Sequence, residues 1–244
     1  MKPEVVARLL ELNRVFYEAM GSSFSQTRQR LQPGVKKILH LIPQHSSILD
    51  VGCGNGWIVR ELDQLGFKGS YVGIDASLSL LSEAKKYKSA AIKTDFIQAD
   101  ITLSGWEELL PTTTYDILLA FAVFHHLPSK SLRMELYHTL RKMIRSGGVF
   151  FHSYWQPLKS SKMRHRIQPW ALIGMKPEDV EEGDYLLDWR HGSHGLRYVH
   201  HTTPIELLEA AEKCGFVLVE EFYSDGENNQ LGYYQIWRPC STLG

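Results

Sequence analysis

The segment Asp-Val-Gly-Cys-Gly-Asn-Gly at residues 50–56 constrains the fold of this chain more than any other. The apolar residues 47–51 are typical of a buried strand, and residues 57–65 follow a helical pattern. Gly52 permits a tight turn, and Gly54 and Gly56 lack the Cβ atoms that would keep a ligand away from the backbone. Backbone N–H groups at the start of the helix then face that ligand. The segment therefore predicts a ligand-binding turn between a strand and a helix.

The alternation of strand and helix continues to residue 154. Short apolar runs predict further strands at 70–74, 92–98, 115–121 and 149–154. Helical patterns lie between them at 77–87 and from Ser129 or Ser131 to 144. Strands that are apolar on both faces and alternate with helices indicate a parallel sheet with helices on each side. We therefore predict an α/β fold with a doubly wound sheet, for which 244 residues with 43% hydrophobic content are sufficient.

The remaining segments are predicted to surround this sheet. Helices at 3–20 and 33–41, separated by a break at Gly-Ser-Ser 21–23, form an N-terminal helical lid over residues 1–45. Residues 46–244 form the main domain, in which Ser-Gly-Gly 146–148 ends a helix. A helix at 204–214 and a hairpin of strands 216–223 and 231–237 close the domain. An insertion at about 155–201 has no clear period, and we expect it to cover a substrate.

The spacing of the glycines and the acid before them distinguish between possible ligands. Dinucleotide-binding turns have the pattern Gly-x-Gly-x-x-Gly, whereas this chain has Gly-x-Gly-x-Gly with Trp57 at the third dinucleotide position. A carboxylate at Asp50 repels a pyrophosphate but suits an ammonium group. S-adenosylmethionine has an ammonium group and no phosphate, so the charge favours it over NAD.

Two further acids follow at the ends of the next strands. Asp75 ends the second strand, 21 residues after Gly54, where an acid binds ribose hydroxyls in related folds. Asp100 ends the third strand and is expected to reach the adenine amine. Taken in this order, these residues resemble the class I S-adenosylmethionine-dependent methyltransferase family over residues 46–154. The resemblance implies a Rossmann-like fold with a seven-stranded, mostly parallel sheet and an antiparallel closing hairpin.

The same resemblance implies a set of cofactor contacts. Those at the glycine turn and the strand ends are Asp50, Gly52, Cys53, Gly54, Asp75, Ala76, Asp100, Ile101 and Phe121. From the lid, Tyr17 and Arg28 are expected to reach the cofactor. Tyr17 lies on the apolar side of its helix, so core packing is the alternative. Arg28 has two alternatives, namely the methyl acceptor and a surface acid.

The flanking segments resemble a narrower family, the eukaryotic tRNA wobble-uridine carboxymethyl methyltransferases. The segments that carry this resemblance are Phe-Ser-Gln-Thr-Arg 24–28 with Pro33, Val-Phe-His-His-Leu 123–127, Tyr-Leu-Leu-Asp-Trp 185–189 and Arg-Tyr-Val-His 197–200. The chain departs from the family pattern at Val199, where the family has Tyr, and at Asp188, where it has Pro. His201 adds a second imidazole to the last segment. These departures bear on the substrate rather than on the cofactor.

The narrower resemblance implies an acceptor carboxylate and a methyl ester product. A carboxylate is ionised at pH 7, so the site needs groups that hold an anion rather than a base. Arg197, Tyr198 and His200 are the expected acceptor contacts, and arginine binds carboxylates through two parallel hydrogen bonds. His125 is expected at the methyl-transfer end, with one imidazole of the pair His125 and His126 facing the pocket and the other structural.

Two other interpretations remain open. One is a small-molecule O- or N-methyltransferase with an apolar acceptor pocket, and the other is a binding protein that kept the fold without activity. Phe-Ala-Val-Phe 121–124 stands where enzymes that methylate base or amide nitrogens have Asn-Pro-Pro-Tyr, which argues against that chemistry. Residues 130–170 contain nine Lys or Arg and one acid. Within this stretch Lys159, Lys162, Arg164 and Arg166 are expected either to contact phosphates or to form a solvated loop.

Composition limits the remaining possibilities. Apolar runs are too short to span a bilayer, and residues 1–10 lack the apolar core of a signal peptide, so we expect a soluble cytoplasmic protein without a membrane partner. The three cysteines are widely spaced and form no Cys-x-x-Cys pair, so we expect no metal. The pattern makes no prediction of oligomeric state.

Overall fold

A computed structural model describes residues 1–27, 30–190 and 195–240, and for residues 20–27 it describes the backbone alone. The helices are α1 (Pro3–Thr27), α2 (Pro33–Leu39), α3 (Trp57–Gln64), α4 (Leu78–Ala84), α5 (Lys130–Met143), α6 (Ser161–Arg164) and α7 (Pro204–Cys214). The strands are β1 (Ser47–Val51), β2 (Ser70–Asp75), β3 (Lys93–Gln98), β4 (Tyr115–Phe121), β5 (Ile144–Trp155), β6 (Ile167–Gln168), β7 (Asp184–Trp189), β8 (Gly195–His200), β9 (Phe216–Ser224) and β10 (Gly232–Pro239).

Seven strands form the main sheet in the order β3-β2-β1-β4-β5-β10-β9. The first five are parallel, and β10 is antiparallel to both β5 and β9. This arrangement confirms the predicted Rossmann-like α/β fold, the mostly parallel sheet and the antiparallel closing hairpin. β1 lies between β2 and β4, so the strand order reverses there, and ligands of such sheets bind at that point beyond the carboxyl ends of the strands.

The central strands of the main sheet are buried on both faces because most of their residues are apolar. In β4, Leu118 and Ala120 pack into the core on one face, and Ile117 and Leu119 pack into the core on the other. All four side chains are nearly or fully buried. Alternate residues of a strand point to opposite faces. A strand with apolar residues on both faces therefore needs helices on both sides, as the sequence predicts.

The predicted insertion is more ordered than its lack of periodicity indicates. It contains a second sheet of three antiparallel strands in the order β6-β7-β8. Helix α1 packs against this sheet, with Val5 and Leu9 sharing a small core with Leu186 and Tyr198. Helix α2 instead packs on the main sheet, and its apolar residues share a core with Ile48 of β1 and Ile236 of β10. The segment predicted as one lid over residues 1–45 thus contacts two different units.

We propose that α1 and the β6–β8 sheet form one unit, which we call the cap.

Two local predictions are wrong, and both concern glycine. Helix α1 continues through residues 21–23 to Thr27, because one glycine inside a helix costs only about 1 kcal/mol relative to alanine. Helix α5 ends at Met143, and Ser-Gly-Gly 146–148 lies inside β5 instead of ending the helix. There the pairing of β4 and β5 shifts register, and a Cβ on Gly148 would lie 2.8 Å from the Asp116 carbonyl oxygen. Gly147 and Gly148 therefore lie at an irregularity in the pairing of β4 with β5.

Within the ranges described above, every helix is too short or too polar to cross a bilayer.

Candidate functional site

The glycine turn begins where β1 ends and is tied to β2. The N–H groups of Gly52 and Cys53 both donate to the Ile74 carbonyl, at 2.8 and 2.9 Å. Gly52, Gly54 and Gly56 have φ values of 72°, 55° and 74°, in the left-handed region that favours glycine. A Cβ on Gly52 would lie 2.6 Å from Val123 Cγ2, whereas a Cβ on Gly54 would meet nothing within 4 Å. The turn therefore leaves open space beside Gly54.

Asp75 supports the turn from the end of β2. Its Oδ2 accepts a hydrogen bond from the Gly54 N–H, and its Oδ1 accepts one from the Ser77 N–H, both at 2.9 Å. Burial raises the pKa of this carboxyl group, and the two N–H donors act in the opposite direction. A carboxylate oxygen has two lone pairs. Each oxygen of Asp75 therefore keeps acceptor capacity for ligand hydroxyl groups.

A cavity of about 470 Å³ lies beside this turn, between the main sheet and α1. Its walls bring together most of the predicted cofactor contacts: Tyr17, Gly52, Gly54, Asp75, Ala76, Asp100, Ile101 and Phe121. Within it, Asp100 is oriented by Thr102, whose N–H and hydroxyl donate to Asp100 Oδ1 at 2.9 and 2.7 Å. We call this space the larger cavity.

A second cavity of about 140 Å³ contains the other predicted contacts, Asp50 and Cys53. Both cavities share Gly52, Gly54, Leu80, Phe121 and Ala122, so they meet at the glycine turn and the end of β4. We call this second space the smaller cavity. Arg28, the remaining predicted cofactor contact, lies outside the described residues.

Asp50 is the most deeply buried acid of the site, with 1% of its surface exposed. The hydroxyl of Tyr71 donates a hydrogen bond to Asp50 Oδ2. Burial raises the pKa of the Asp50 carboxyl group to about 7, while the bond from Tyr71 lowers it and the charge of Asp75 raises it further. A positively charged ligand group in the smaller cavity would favour the ionised form of this carboxyl group.

Ala122 at the junction of the cavities is a residue that the sequence does not reveal. Its φ is 58°, in the left-handed region that alanine rarely adopts. The backbone there is held by Ser153, whose carbonyl and hydroxyl oxygens accept from the Ala122 N–H at 3.2 and 3.1 Å. Backbone strain of this kind costs of order 1–3 kcal/mol and is concentrated at functional sites. Alanine has no preference for this left-handed conformation, so the conformation of Ala122 cannot be predicted from the sequence.

The two histidines after β4 lie in different environments. His126 lines the larger cavity, and its Nε2 lies 2.7 Å from the Tyr17 hydroxyl. His125 is buried, its ring stacks on that of Trp155 with 5.8 Å between centroids, and its Nδ1 accepts from the Trp155 N–H at 3.4 Å. The structure therefore places His126 in the cavity wall, whereas the sequence analysis selects His125.

Arg197 lies in β8 with 1% of its surface exposed. Its guanidinium carbon is 4.4 Å from the ring centre of Trp155 and 5.4 Å from those of Phe16 and Trp189. We call these three rings the Arg197 box. Its walls come from the main sheet, α1 and β7, and Trp155 also lines the smaller cavity.

The Arg197 guanidinium keeps one unused edge. Among the described residues, Nε and Nη2 of Arg197 have no hydrogen-bond partner. These two nitrogens form the fork that binds a carboxylate through two parallel bonds. Burial lowers the pKa of Arg197, and a hydrogen bond with Tyr17 acts in the opposite direction. An unpaired buried charge is costly, so this edge is suited to an anionic ligand.

Tyr198 and His200 face away from Arg197. The Tyr198 hydroxyl donates to Asp184 Oδ1 at 2.6 Å, and His200 Nδ1 lies 2.8 Å from the same oxygen. His200 Nε2 lies 3.1 Å from Glu206 Oε1. Burial lowers the pKa of His200, but these two acids outweigh it and the net shift is upward. Because alternate residues of a strand face opposite sides, β8 does not bring the three predicted acceptor contacts together.

Sequence reasoning also missed Phe16, Asn13 and the contact between Trp155 and Arg197. Asn13 is a buried amide on the otherwise apolar side of α1, close to Leu9 and Phe16. A polar residue on an apolar helix face is a usable signal, because a buried polar group needs a partner. The ring contacts of Phe16 and Trp155 depend on the cap, whose strands have no clear period in the sequence.

Comparisons with known proteins agree with this geometry. The family model described as a methyltransferase domain matches residues 24–221. The chain is 24% identical over 221 residues to a tRNA (carboxymethyluridine(34)-5-O)-methyltransferase of Schizosaccharomyces pombe, covering 85% of this chain and 89% of that protein. It is 29% identical over 202 residues to a malonyl-[acyl-carrier protein] O-methyltransferase of Halalkalibacterium halodurans, covering 80% of this chain and 69% of that protein.

A solved structure shows the same fold. The crystal structure of a SAM-dependent methyltransferase from Methanosarcina mazei superposes with a TM-score of 0.66 at 18% identity. The match covers 86% of this chain and 98% of that one.

Proposed function

The chain belongs to the methyltransferase domain family and uses S-adenosylmethionine, and from this premise we propose that it esterifies a carboxylate on a modified uridine of tRNA. The cofactor fits the residues present, because the space beside Gly54 is open and Asp75 keeps acceptor capacity. We propose that Asp75 and Asp100 hold the adenosine part in the larger cavity. Asp50 then faces the ammonium group from the smaller cavity. When bound, S-adenosylmethionine supplies a methyl group that is already activated.

The observation that carries this proposal is the unused edge of Arg197. The fork of Nε and Nη2 can hold both oxygens of a carboxylate, and the Arg197 box keeps water from competing for it. Holding the acceptor in a fixed orientation is the main catalytic contribution needed, because proximity and alignment supply most of the acceleration in such transfers. Arg197 is therefore the residue to which we assign acceptor binding.

The proposal requires no general base. A carboxylate is ionised at pH 7, so its oxygen can accept a methyl group without first losing a proton. The orientation of Tyr198 and His200 toward Asp184 is compatible with this chemistry. We propose that these two side chains stabilise the cap and leave Arg197 to bind the acceptor.

The choice of tRNA is supported by the relative from Schizosaccharomyces pombe, whose name specifies carboxymethyluridine at position 34. The direct test is methyl transfer to an anticodon stem-loop that carries 5-carboxymethyluridine. We expect a base-labile methyl ester on this loop and none on the same loop with unmodified uridine. Equal labelling of the two loops, or of neither, would contradict the proposal.

The second candidate is an O-methyltransferase that acts on a small acid. It is favoured by the deep burial of Arg197, which suits an acceptor that the cap can enclose. The malonyl-[acyl-carrier protein] O-methyltransferase among the relatives supports it as well. Turnover of free dicarboxylic acids in the absence of RNA would favour this candidate over tRNA.

Cofactor affinity is expected to depend on pH through Asp50. With a pKa of about 7, Asp50 carries a proton in the ligand-free protein below pH 7, and the cofactor ammonium favours its ionised form. Binding then releases a proton, so affinity should rise by up to about tenfold per pH unit as pH increases toward 7, and level off above it. Calorimetric titration between about pH 5.5 and 8 measures this slope.

The matched variant for this experiment is Asp50→Asn. An amide does not titrate in this range, so the variant should bind with an affinity that changes little with pH. A slope that persists in Asp50→Asn would assign the titration to another group and remove Asp50 from the ammonium site.

A basic segment around α6, which precedes β6, is expected to contact RNA phosphates. Lys162 and Arg164 are exposed on α6, Arg166 follows them half-buried, and Lys159 Nζ lies 4.0 Å above the Tyr223 ring. Replacing these four cations by glutamine should weaken tRNA binding and lower the slope of log affinity against log salt by roughly 3, because each phosphate contact contributes about 0.7 to 0.9. Fluorescence titration over a series of salt concentrations measures both quantities.

The control replaces four exposed lysines elsewhere: Lys2, Lys68, Lys85 and Lys88. This variant loses the same net charge as the first. A long-range effect of net charge would therefore weaken tRNA binding and lower the salt slope equally in both variants. Equal salt slopes for the two variants would show that the basic segment makes no specific contact.

A further inference from the structure

We infer that Tyr17 is a positioning residue that couples closure of α1 over the cofactor to recognition of the acceptor by Arg197. The inference rests on the proposed function, because it takes Arg197 as the acceptor contact. It concerns Tyr17 as a link between two sites rather than as a cofactor contact alone.

The first part of this link is Asn13, which joins α1 to two other elements. Its Nδ2 donates to the carbonyl oxygens of His126 and Tyr198, each at 3.2 Å, and its Oδ1 accepts from the Tyr198 N–H at 2.8 Å. In the described part of the chain, strand β8 is an edge of its sheet, so the Asn13 amide pairs with an edge of the sheet backbone. The side chain is 6% exposed.

Tyr17 joins the same two elements through side chains. Residues four apart lie on one face of a helix, so Tyr17 follows Asn13 by one turn. Its hydroxyl lies 2.7 Å from His126 Nε2, and the two rings meet edge to face with 5.2 Å between centroids. The same hydroxyl is a hydrogen-bond partner of Arg197, the neighbour of Tyr198 in β8. We call Asn13 and Tyr17 the α1 clamp.

The direction of these hydrogen bonds follows from the groups involved. Arginine can only donate, so the Tyr17 oxygen accepts from Arg197 and its O–H is available to His126 Nε2. Phe16, the neighbouring residue of α1, covers the Arg197 guanidinium at 5.4 Å. Movement of α1 away from the body would therefore break the bond to Arg197 and open the Arg197 box.

Helix α1 is also a wall of the larger cavity, to which Leu10, Arg14 and Tyr17 contribute. The closed position of α1 thus completes both the cofactor site and the support of Arg197. Two ligands that favour the same state increase each other's affinity by the same factor. An acceptor bound to Arg197 should therefore tighten cofactor binding, and the hydroxyl of Tyr17 carries this effect.

The test measures the dissociation constant of S-adenosylhomocysteine with and without the anticodon stem-loop that carries 5-carboxymethyluridine. For the unaltered protein we expect the loop to lower this constant at least about fivefold, the lower end of usual coupling. Tyr17→Phe keeps the ring and removes the hydroxyl. The readout for each protein is the ratio of its two dissociation constants, with and without the loop. For Tyr17→Phe this ratio should fall to about 1, whatever its affinity for S-adenosylhomocysteine without the loop.

The matched control is Tyr87→Phe, which removes a hydroxyl that donates to Asp63 Oδ2 at 2.5 Å, away from both cavities. It should retain the full coupling. If the loop is methylated but the coupling is absent, or survives in Tyr17→Phe, the inference is wrong and the proposed function stands. If the loop is not methylated by the unaltered protein, the proposed function fails and the inference fails with it.

Discussion

Replacing Arg197 by lysine is expected to lower kcat/KM for the carboxylate acceptor about a hundredfold or more. Lysine keeps the charge but loses the planar fork of Nε and Nη2 that binds two oxygens at once. A charge-assisted hydrogen bond contributes about 1.5–3 kcal/mol, and each 1.36 kcal/mol corresponds to a tenfold change in rate. Cofactor affinity should stay within about threefold, because Arg197 lines neither cavity. Steady-state kinetics and calorimetry on one preparation separate these two quantities.

The control for this substitution is Arg141→Lys. Arg141 also lies against an aromatic ring, Phe216, and donates to the Gly215 carbonyl at 2.9 Å, but it is remote from both cavities. It should change stability slightly and leave kcat/KM unaltered. If Arg197→Lys reduced cofactor binding as strongly as turnover, Arg197 would serve the cofactor and the acceptor assignment would be wrong.

Gly54→Ala is expected to reduce cofactor affinity about a hundredfold while costing only about 1–2 kcal/mol of folding stability. The alanine must adopt a φ of 55°, and this left-handed conformation accounts for the cost, because a residue with a Cβ is strained there. Its methyl group would meet no atom of the described residues within 4 Å, so the part of the fold that the structure describes can accommodate it. That space borders both cavities, so the methyl group would occupy volume that we assign to the cofactor.

Gly147→Ala provides a matched control for this effect. Gly147 also has a left-handed φ, 81°, and a Cβ at this position would likewise meet nothing within 4 Å, but the residue lies in β5 away from both cavities. The two variants should lose similar stability in thermal unfolding, and only Gly54→Ala should lose cofactor binding. Normal binding by Gly54→Ala would mean that the turn does not approach the cofactor.

The main sheet could be predicted because its strands are apolar on both faces and are separated by helices of regular period. Leu118 and Leu119 point to opposite cores, and only a sheet covered on both sides buries both of them. The predicted cofactor contacts are brought together for the same reason, since the carboxyl ends of parallel strands meet at one edge. Asp75 and Asp100 follow adjacent strands, so fixing the sheet places both acids beside the larger cavity.

The acceptor side could not be predicted to the same extent because its strands are short and mixed in character. In β8, Arg197 faces the Arg197 box while Tyr198 and His200 face Asp184, and a segment resemblance does not distinguish the two faces. The choice between His125 and His126 depends on the irregular backbone around Ala122, whose φ is 58°. Local sequence preferences carry no information on that backbone, because the strain is held by Ser153 in a distant part of the chain.

The cap is assembled from two segments that are more than a hundred residues apart in sequence, α1 and the β6–β8 sheet. Exchange of the 155–201 region alone between two members of the family would therefore separate Arg197 and Trp189 from the Phe16 that covers them. Under the proposed role of Arg197, acceptor choice depends on a pair of segments that must change together. Substitutions in α1 that preserve cofactor contacts are then expected to alter which acceptors are used, although α1 is remote in sequence from Arg197.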